Sequence, residues 1–264
     1  MSNGVSIDPA LLAAGGITVD IAEPVVTVTL ARPEARNAQT PATWRALAAI
    51  GASLPDSARV VILKAQGSSF SAGLDKRMFA DGIDGEPSLV ELSQMTAETA
   101  HELIDGYQQG FTWFRDIDAV SIAIVQGHAV GAGFQLALAA DMIVAADDAT
   151  FCMKEPALGL VPDLVGTWPL VEAVGYSRAL EICATSRWVS AEQAVSYGFA
   201  VAAAPLAEVE GVVQQIVDQI VAAPAGAIAE TKRLLRDASG RTREEQRLAE
   251  RQAQARRIAA LASQ

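Results

Sequence analysis

The sequence predicts a layered α/β fold that ends in a helical region. In the first part of the chain, short apolar runs typical of strands alternate with helical patterns, which indicates a sheet joined by helical crossovers. The chain is 51% hydrophobic but only 5% aromatic. Its apolar content is mainly Ala, Val, Leu and Gly, and such small side chains suit close packing of helices on strands. From about Leu206 onward the pattern is helical.

The first elements predicted are two strands, Ile17–Ala22 and Val25–Leu30, joined as a hairpin around Glu23-Pro24. A charged loop, Ala31–Gln39, follows. It leads to a helix that begins near Thr40-Pro41, with the threonine as N-cap and the proline in the first turn.

The middle of the chain continues the alternation of strands and helices. The predicted elements are a buried strand at Arg59–Ala65, a Gly/Ser loop with a short helix, a polar surface loop at Asp81–Ser88, an amphipathic helix at Leu89–Ile117, a strand at Ser121–Val125, a helix at Gly131–Ala140, strands at Met142–Ala146 and Thr150–Met153, and a last strand at Val201–Ala204.

Three amphipathic helices are predicted at the end of the chain, Leu206–Val221, Ala227–Asp237 and Thr242–Leu261. They share too little apolar surface to fold alone. We therefore divide the chain into a core, residues 1–205, and a helical region, residues 206–264, that packs on the core or on a neighbouring subunit.

Charge and composition exclude several classes of partner. The net charge is −11 and no Lys/Arg cluster with interleaved aromatics occurs, which argues against a nucleic-acid surface. The most apolar stretch, Ala119–Ala146, is interrupted by Gln126 and Asp141, so no membrane association is expected. The first residues lack a basic, then apolar, leader. We expect a cytoplasmic protein with Cys152 and Cys183 reduced.

Three loops carry the candidate chemistry, and each follows a predicted strand. They read LARPEARNA (30–38), GSSFSAGLD (67–75) and QGHAVGAGFQ (126–135). Glycines let a loop turn sharply and point backbone N–H groups at a ligand, and the third loop opens a helix whose first N–H groups are free. Each loop alone also fits an ordinary turn. The glycine spacing matches neither a Walker loop nor a dinucleotide fingerprint.

Taken together, in this order and spacing, the loops resemble the RPxxxNA, FxAGxD and GxAxGxG motifs of the enoyl-CoA hydratase/isomerase (crotonase) family. The resemblance continues through Phe151–Asp163 and Gly166-Thr167 and covers about residues 17–240. It implies a crotonase-like ββα spiral and an enzyme that acts on an acyl-CoA thioester. Coenzyme A enters as part of the substrate, and no other cofactor is implied. The family and the helical tail both suggest a homotrimer or a dimer of trimers.

The resemblance also implies roles for individual residues. The backbone N–H groups of Leu74 and Ala132 would form an oxyanion hole for the thioester carbonyl. Removing one such donor typically costs ~10²–10³ in rate. The expected residues for binding the substrate and its CoA part are Arg36, Ala72, Gly73, Asp75, Lys76, Gly131 and Gln135.

The carboxylates decide which reaction is expected. In the hydratases of this family two glutamates hold and activate a water. Here Glu155 stands at one of these positions, but Gln135 stands at the other, and an amide cannot accept the water's proton. Asp163 lies eight residues after Glu155, an arrangement similar to the dienoyl-CoA isomerases. We therefore expect double-bond isomerisation of an enoyl- or dienoyl-CoA, with Glu155 and Asp163 as catalytic residues.

Several alternatives stay open at this point. The chain could be a 2-enoyl-CoA hydratase that uses Glu155 alone, or a non-catalytic CoA- or RNA-binding homologue. Asp163 could instead cap a helix beginning at Leu164. No cluster of His, Cys, Asp and Glu has metal-ligand spacing, so no metal is predicted.

Overall fold

The computed structural model describes residues 7–79, 82–83 and 85–262. The described residues do not include residues 1–6, where no leader was predicted. They also do not include positions 81 and 84 of the predicted polar loop. Within the described parts the predicted α/β class is confirmed.

Helices and strands follow one another along the whole described chain. The helices are α1 (Pro9–Gly15), α2 (Pro41–Ala52), α3 (Leu89–Ser93), α4 (Ala97–Asp116), α5 (Ala132–Ala139), α6 (Thr167–Val174), α7 (Tyr176–Thr185), α8 (Ala191–Tyr197), α9 (Val209–Ala222), α10 (Ala225–Arg236) and α11 (Arg243–Ala262). The strands are β1 (Ile17–Ala22), β2 (Val25–Leu30), β3 (Val60–Ala65), β4 (Val120–Val125), β5 (His128–Val130), β6 (Met142–Ala146), β7 (Thr150–Cys152), β8 (Val189–Ser190) and β9 (Ala202–Ala204). Short 3₁₀ turns occur at Pro33–Ala35, Lys76–Phe79, Glu155–Leu158 and Ala238–Gly240.

The larger sheet has six strands in the order β1-β2-β3-β4-β6-β9. Strands β1 and β2 form the predicted antiparallel hairpin, with Ile17 opposite Leu30. All the other neighbours in this sheet are parallel. The loops that follow β2 and β3 therefore leave the sheet at the same edge.

Both faces of this sheet are covered. In β3, Val61 and Leu63 pack into the main core, whereas Val60 joins a second apolar cluster on the other face. Helix α9 completes that second cluster with Val213 and Val217. The Arg59 guanidinium donates to the carbonyls of Val221 and Ile220 at 2.6 and 2.7 Å, which satisfies the C-terminal end of α9.

A smaller sheet, β5-β7-β8, brings the third loop beside the segment that follows β7. Strand β5 pairs in parallel with β7, with Val130 opposite Cys152. The chain enters α5 just after Val130 and reaches Glu155 just after Cys152. The start of α5 and Glu155 therefore lie next to each other. Strand β5 was not among the predicted elements, because its three residues show no alternation.

Two predicted helices differ from the structure. The predicted helix Leu89–Ile117 is interrupted after Ser93, because the Thr96 hydroxyl caps a new helix by accepting from the backbone N–H of Thr99. The helix expected to begin at Leu164 begins at Thr167, with Gly166 as its N-cap. Helix α1, near the N-terminus, was not predicted.

Among the described helices, no single one is both long and apolar enough to meet the limits for a membrane span. Helices α9 and α10 meet those limits only as a pair, which is bent by 109°.

Candidate active site

A cavity of about 830 Å³ lies where the loop after β3, the start of α5 and the segment after β7 meet. Its other walls are apolar and come from α2, α3 and α4, including Trp44, Leu92 and Ile104. The structure brings eight of the predicted site residues to this cavity: Ala72, Gly73, Leu74, Lys76, Gly131, Ala132, Glu155 and Asp163. Such a largely apolar pocket with a few polar groups is typical of a small-molecule site.

Two backbone donors lie on this cavity. Within the described part of the chain, neither the N–H of Leu74 nor that of Ala132 donates to another residue. Gly73 has φ +88°, and a Cβ atom there would lie 2.5 Å from the Val130 carbonyl oxygen and 3.7 Å from the Ala132 nitrogen. Only glycine fits this close approach, which places the two donor peptides side by side. Their free N–H groups could stabilise an oxyanion.

Buried polar side chains hold the loops together, and sequence reasoning missed them. Asn37 donates from its amide to the carbonyls of Gln66 and Ser69 at 2.8 and 2.9 Å. The Ser71 hydroxyl donates to the Asn37 carbonyl at 2.8 Å. Gln39 bonds to both donor loops. No sequence signal marked Gln39, because a glutamine in a charged loop is expected to be solvated.

Glu155 and Asp163 both line the cavity and are half-buried. Burial raises the pKa of Glu155, and the charge of Asp163 raises it further, against hydrogen bonds from Gln135 and the local backbone. Burial also raises the pKa of Asp163, against a bond from its own backbone N–H. Two carboxyls with raised pKa values in one cavity are suited to exchange protons with a ligand.

The two oxygens of Glu155 have different surroundings. Oε1 accepts a hydrogen bond from the Gln135 amide at 2.7 Å. Oε2 is buried and has no hydrogen-bond partner among the described residues. Gly131, at φ +50°, leaves room for this carboxylate, because a Cβ atom there would lie 2.9 Å from Oε1. The unpartnered oxygen is therefore the one available for a proton.

Gln135 does not line the cavity; it lies beneath the carboxylates and is 1% exposed. Its amide oxygen accepts from the backbone N–H groups of Leu164 and Gly166 at 2.9 and 3.3 Å. Between them, Val165 has φ +65°, a conformation that costs a β-branched residue ~1–3 kcal/mol. Gln135 thus connects Glu155 to the segment that carries Asp163, and both ends of its amide are bonded within the protein.

The alternative role of Asp163 as a helix cap does not fit the structure. Helix α6 begins four residues after Asp163, and its N-cap is Gly166. The Asp163 backbone carbonyl accepts from the Gln108 side chain at 2.6 Å, which fixes the backbone beside the cavity.

Two further predicted residues lie away from the cavity. Asp75 is buried in ion pairs with Arg32 and Arg77, at 3.2 and 2.8 Å, and the Arg77 hydrogen bonds hold the pKa of its carboxyl well below the usual range. It stabilises the loop. Arg36 is exposed beside the loop. Its carbonyl accepts from the N–H of Ala72, so Ala72 can offer a ligand only its carbonyl.

Within the described residues, no group of three or more His, Cys, Asp or Glu side chains is placed to hold a metal ion.

Known proteins are similar to this chain over most of its length. The enoyl-CoA hydratase/isomerase family model matches residues 20–264. A carnitinyl-CoA dehydratase of Salmonella paratyphi A is 33% identical over 219 residues, 82% of this chain and 78% of that protein. A crystal structure of a candidate enoyl-CoA hydratase from Thermobifida fusca in complex with CoA has a TM-score of 0.92 and 45% identity over 98% of both chains. A second, in complex with acetoacetyl-CoA, has a TM-score of 0.90 and 46% identity over 95% of this chain and 98% of that chain.

Proposed function

This chain belongs to the enoyl-CoA hydratase/isomerase family, and we propose that it moves the double bond of an enoyl- or dienoyl-CoA thioester. One observation carries the proposal. Two carboxyls with raised pKa values, Glu155 and Asp163, line the same cavity as the unpaired N–H groups of Leu74 and Ala132. Position 135, where a hydratase of this family would have its other glutamate, holds the buried amide of Gln135.

The proposed reaction begins at C2 of the acyl group, whose proton is acidic only if the resulting enolate is stabilised. The N–H groups of Leu74 and Ala132 hold the thioester oxygen as it gains negative charge. One carboxylate takes the C2 proton, and the C–H electron pair moves into the conjugated enolate. The other carboxyl then gives its proton to the far carbon of the conjugated system. The double bond has moved, and the acids have exchanged protonation states.

The raised pKa values of Glu155 and Asp163 suit this exchange of protons. Each carboxyl starts from a pKa raised by burial, and the ionised form of Asp163 makes ionisation of Glu155 harder still. A pair that holds one proton has both an acid and a base ready at the start.

A second candidate reaction is the addition of water to, or its removal from, an acyl-CoA. The name of the Salmonella relative, a carnitinyl-CoA dehydratase, favours it. In this reaction Glu155 alone would move the protons, and Asp163 would have no required role. Gln135 could contribute only by orienting Glu155, since both ends of its amide are bound within the protein.

A panel of matched thioesters distinguishes these candidates. We would offer 2-enoyl-, 3-enoyl- and 3,5-dienoyl-CoA of equal chain length and score water addition and bond migration separately. The proposal expects migration to dominate, and expects Asp163→Asn to abolish it. Faster water addition that survives Asp163→Asn would favour the hydratase. No turnover with tight thioester binding would favour a non-catalytic CoA-binding protein.

Exchange of the C2 protons in D₂O assigns the two carboxyls. A saturated acyl-CoA has no double bond to move, so its C2 exchange needs only the oxyanion donors and one base. The variant that loses exchange, Glu155→Gln or Asp163→Asn, identifies the C2 base. The other variant should keep exchange while losing bond migration. If both variants keep full exchange, neither carboxyl removes the C2 proton.

We also propose that the protein assembles as a homotrimer or a dimer of trimers. The last two helices leave several large apolar side chains exposed, among them Leu235, Leu248, Ile258 and Leu261. An apolar surface of this kind is typical of an interface. Light scattering after gel filtration measures the mass directly, and a monomer would contradict the proposal.

A further inference from the structure

Gln39 lies between the two loops that carry the unpaired backbone donors, and its side chain is completely buried. Its backbone bonds to Gly73 and Asp75, the residues on either side of Leu74. The Gln39 N–H donates to the Gly73 carbonyl at 2.7 Å, and the Gln39 carbonyl accepts from the Asp75 N–H at 2.8 Å. The Gly73 carbonyl and the Leu74 N–H belong to the same peptide unit. The bond from Gln39 therefore fixes that peptide and leaves its N–H pointing away from Gln39.

The side chain of Gln39 reaches the other donor loop. Its amide nitrogen donates to the Ser71 hydroxyl at 3.1 Å and to the Ala132 carbonyl at 3.3 Å. Its amide oxygen accepts from the Trp44 indole N–H at 2.8 Å. Both amide hydrogens and the oxygen are thus used inside the protein. Gln39 alone therefore bonds to the residues on both sides of Leu74 and to the carbonyl of Ala132.

We propose that Gln39 is a positioning residue that sets the spacing and direction of the Leu74 and Ala132 N–H groups, and so the strength of the oxyanion hole. The inference rests on the proposed function, because it assumes that these donors bind a thioester oxygen. Donor strength depends steeply on distance and angle. Because the Gly73 carbonyl and the Leu74 N–H share one peptide, the bond to that carbonyl also strengthens the Leu74 donor. The Ala132 carbonyl belongs to the next peptide along the chain, so there Gln39 acts on position alone.

Trp44 extends this connection to the acyl part of the cavity. Its ring lines the cavity, and its indole N–H is held by Gln39. It also packs against Tyr107, with ring centroids 4.8 Å apart. Gln39 therefore holds both Trp44, in the wall proposed to contact the acyl chain, and the backbone donors proposed to bind the carbonyl.

Gln39→Met tests the part of the proposal that the side chain carries. Methionine has a similar length and keeps the backbone bonds to Gly73 and Asp75, but it cannot bond to Ser71, Ala132 or Trp44. The readout is the infrared C=O band of an acyl-CoA labelled with ¹³C at the thioester carbonyl. In the wild-type protein we expect binding to move this band to lower wavenumber, and in Gln39→Met we expect at least half of that shift to be lost. The rate constant kcat should fall roughly tenfold to a hundredfold, somewhat less than the loss of a whole donor.

A thioether analogue, in which a CH₂ group replaces the carbonyl, serves as the matched ligand. It keeps the CoA part and the acyl chain but gives the donors nothing to bind. Its Kd should be the same for the wild-type protein and for Gln39→Met. A Kd that rises by the same factor as the loss in kcat would show a general loss of structure and would overturn the proposal.

Ser121→Ala is the matched control for stability. Ser121 is also fully buried and donates from its hydroxyl to the Phe114 carbonyl, but it lies on β4 and does not line the cavity. It should lower the melting temperature and leave the carbonyl shift unchanged. If Gln39→Met does not fold, Gln39→Glu replaces it, since it keeps the acceptor for Trp44 and loses the amide donors.

The outcomes separate this inference from the proposed function. A full wild-type carbonyl shift in whichever Gln39 variant folds would overturn the positioning role and leave the oxyanion hole intact. The absence of any band shift in the wild-type protein itself would instead overturn the oxyanion hole. A reduced shift in the Gln39 variant alone, with Ser121→Ala unchanged, supports the positioning role.

Discussion

At the scale of single residues, the site depends on Glu155, whose carboxylate is poorly solvated. Glu155 has one oxygen bound by Gln135 and one buried oxygen without a partner in the described chain. Burial of this kind lowers stability when the group is ionised, and it also raises the pKa toward the range useful for moving protons. The same feature therefore has opposite effects on stability and on activity.

Glu155→Gln should separate these two effects. Activity should fall by ~10²–10⁴, as for the loss of a general acid or base, while acyl-CoA binding remains because its donors are backbone groups. The pKa of Glu155 is raised in the folded chain, so folding becomes less favourable as pH rises from the ordinary glutamate pKa through the raised one. The variant lacks this penalty. Its melting temperature should exceed that of the wild type at about pH 8 and match it below about pH 4.

Two results would contradict this account. Turnover near the wild-type rate would remove Glu155 from the mechanism. A melting temperature that is lower in the variant at every pH would mean that the ionised carboxylate stabilises the fold, contrary to the direction of its pKa shift.

Gln135→Glu should raise the proton affinity of Glu155. The Gln135 amide nitrogen lies 2.7 Å from Oε1, and two carboxylates at that distance cannot both ionise. The pH at which Glu155 becomes an active base should therefore rise. Gln193→Glu, at the capping box of α8, adds the same charge elsewhere and should leave this pH unchanged. An unaltered pH–rate profile in Gln135→Glu would count against the coupling.

At the scale of elements, the sequence predicted what local pattern and capping determine. The hairpin β1–β2 and the start of α2 at its Thr40 cap agree with the prediction residue by residue. Strand β5 was missed, because three residues become a strand only through pairing with β7. The same holds for Gln39, whose role arises from loops distant in sequence. The donor loops could be predicted from their glycines only together with the family resemblance, and the residues that hold them could not be predicted.

Gly166→Ala tests the contact between α6 and α5. The backbone at Gly166 suits alanine, but a Cβ atom there would lie 2.6 Å from the Gln135 Cγ atom. The clash should displace Gln135 and weaken its bonds to Leu164 and Glu155. We expect a loss of ~1–3 kcal/mol in the free energy of unfolding, together with lower activity.

Gly211→Ala on α9 is the matched control for this substitution. A Cβ atom there meets nothing within 4 Å, and alanine favours helix by ~0.5–1 kcal/mol. That variant should therefore gain stability and keep full activity. Equal stability changes in the two variants, measured by denaturant unfolding, would show that the contact at Gly166 has no consequence.

At the scale of the whole molecule, the C-terminal helices are attached in two different ways. Helix α9 buries Val209, Val213 and Val217 against the large sheet. Helix α10 has no buried residue. The most buried of its ion pairs with the core is that of Lys232, whose ammonium group donates to the Ala119 carbonyl and to Asp141, both at 2.7 Å. We therefore expect the cooperative boundary to fall after α9, and not at residue 206 where the sequence suggested it.

Lys232→Ala should release α10 and α11 from the core. The Lys232 side chain is 9% exposed and the Asp141 side chain is 19% exposed, so removal of one partner leaves a poorly solvated charge. Breaking such a pair costs about 3 kcal/mol. Hydrogen exchange should rise across residues 225–262, whereas β4 and α9 keep their protection. Lys64→Ala removes a more exposed pair with Glu210 and should cost about 0–1 kcal/mol. If exchange in Lys232→Ala rises equally in α9, α10 and α11, the three helices form one unit and the boundary at residue 206 is correct.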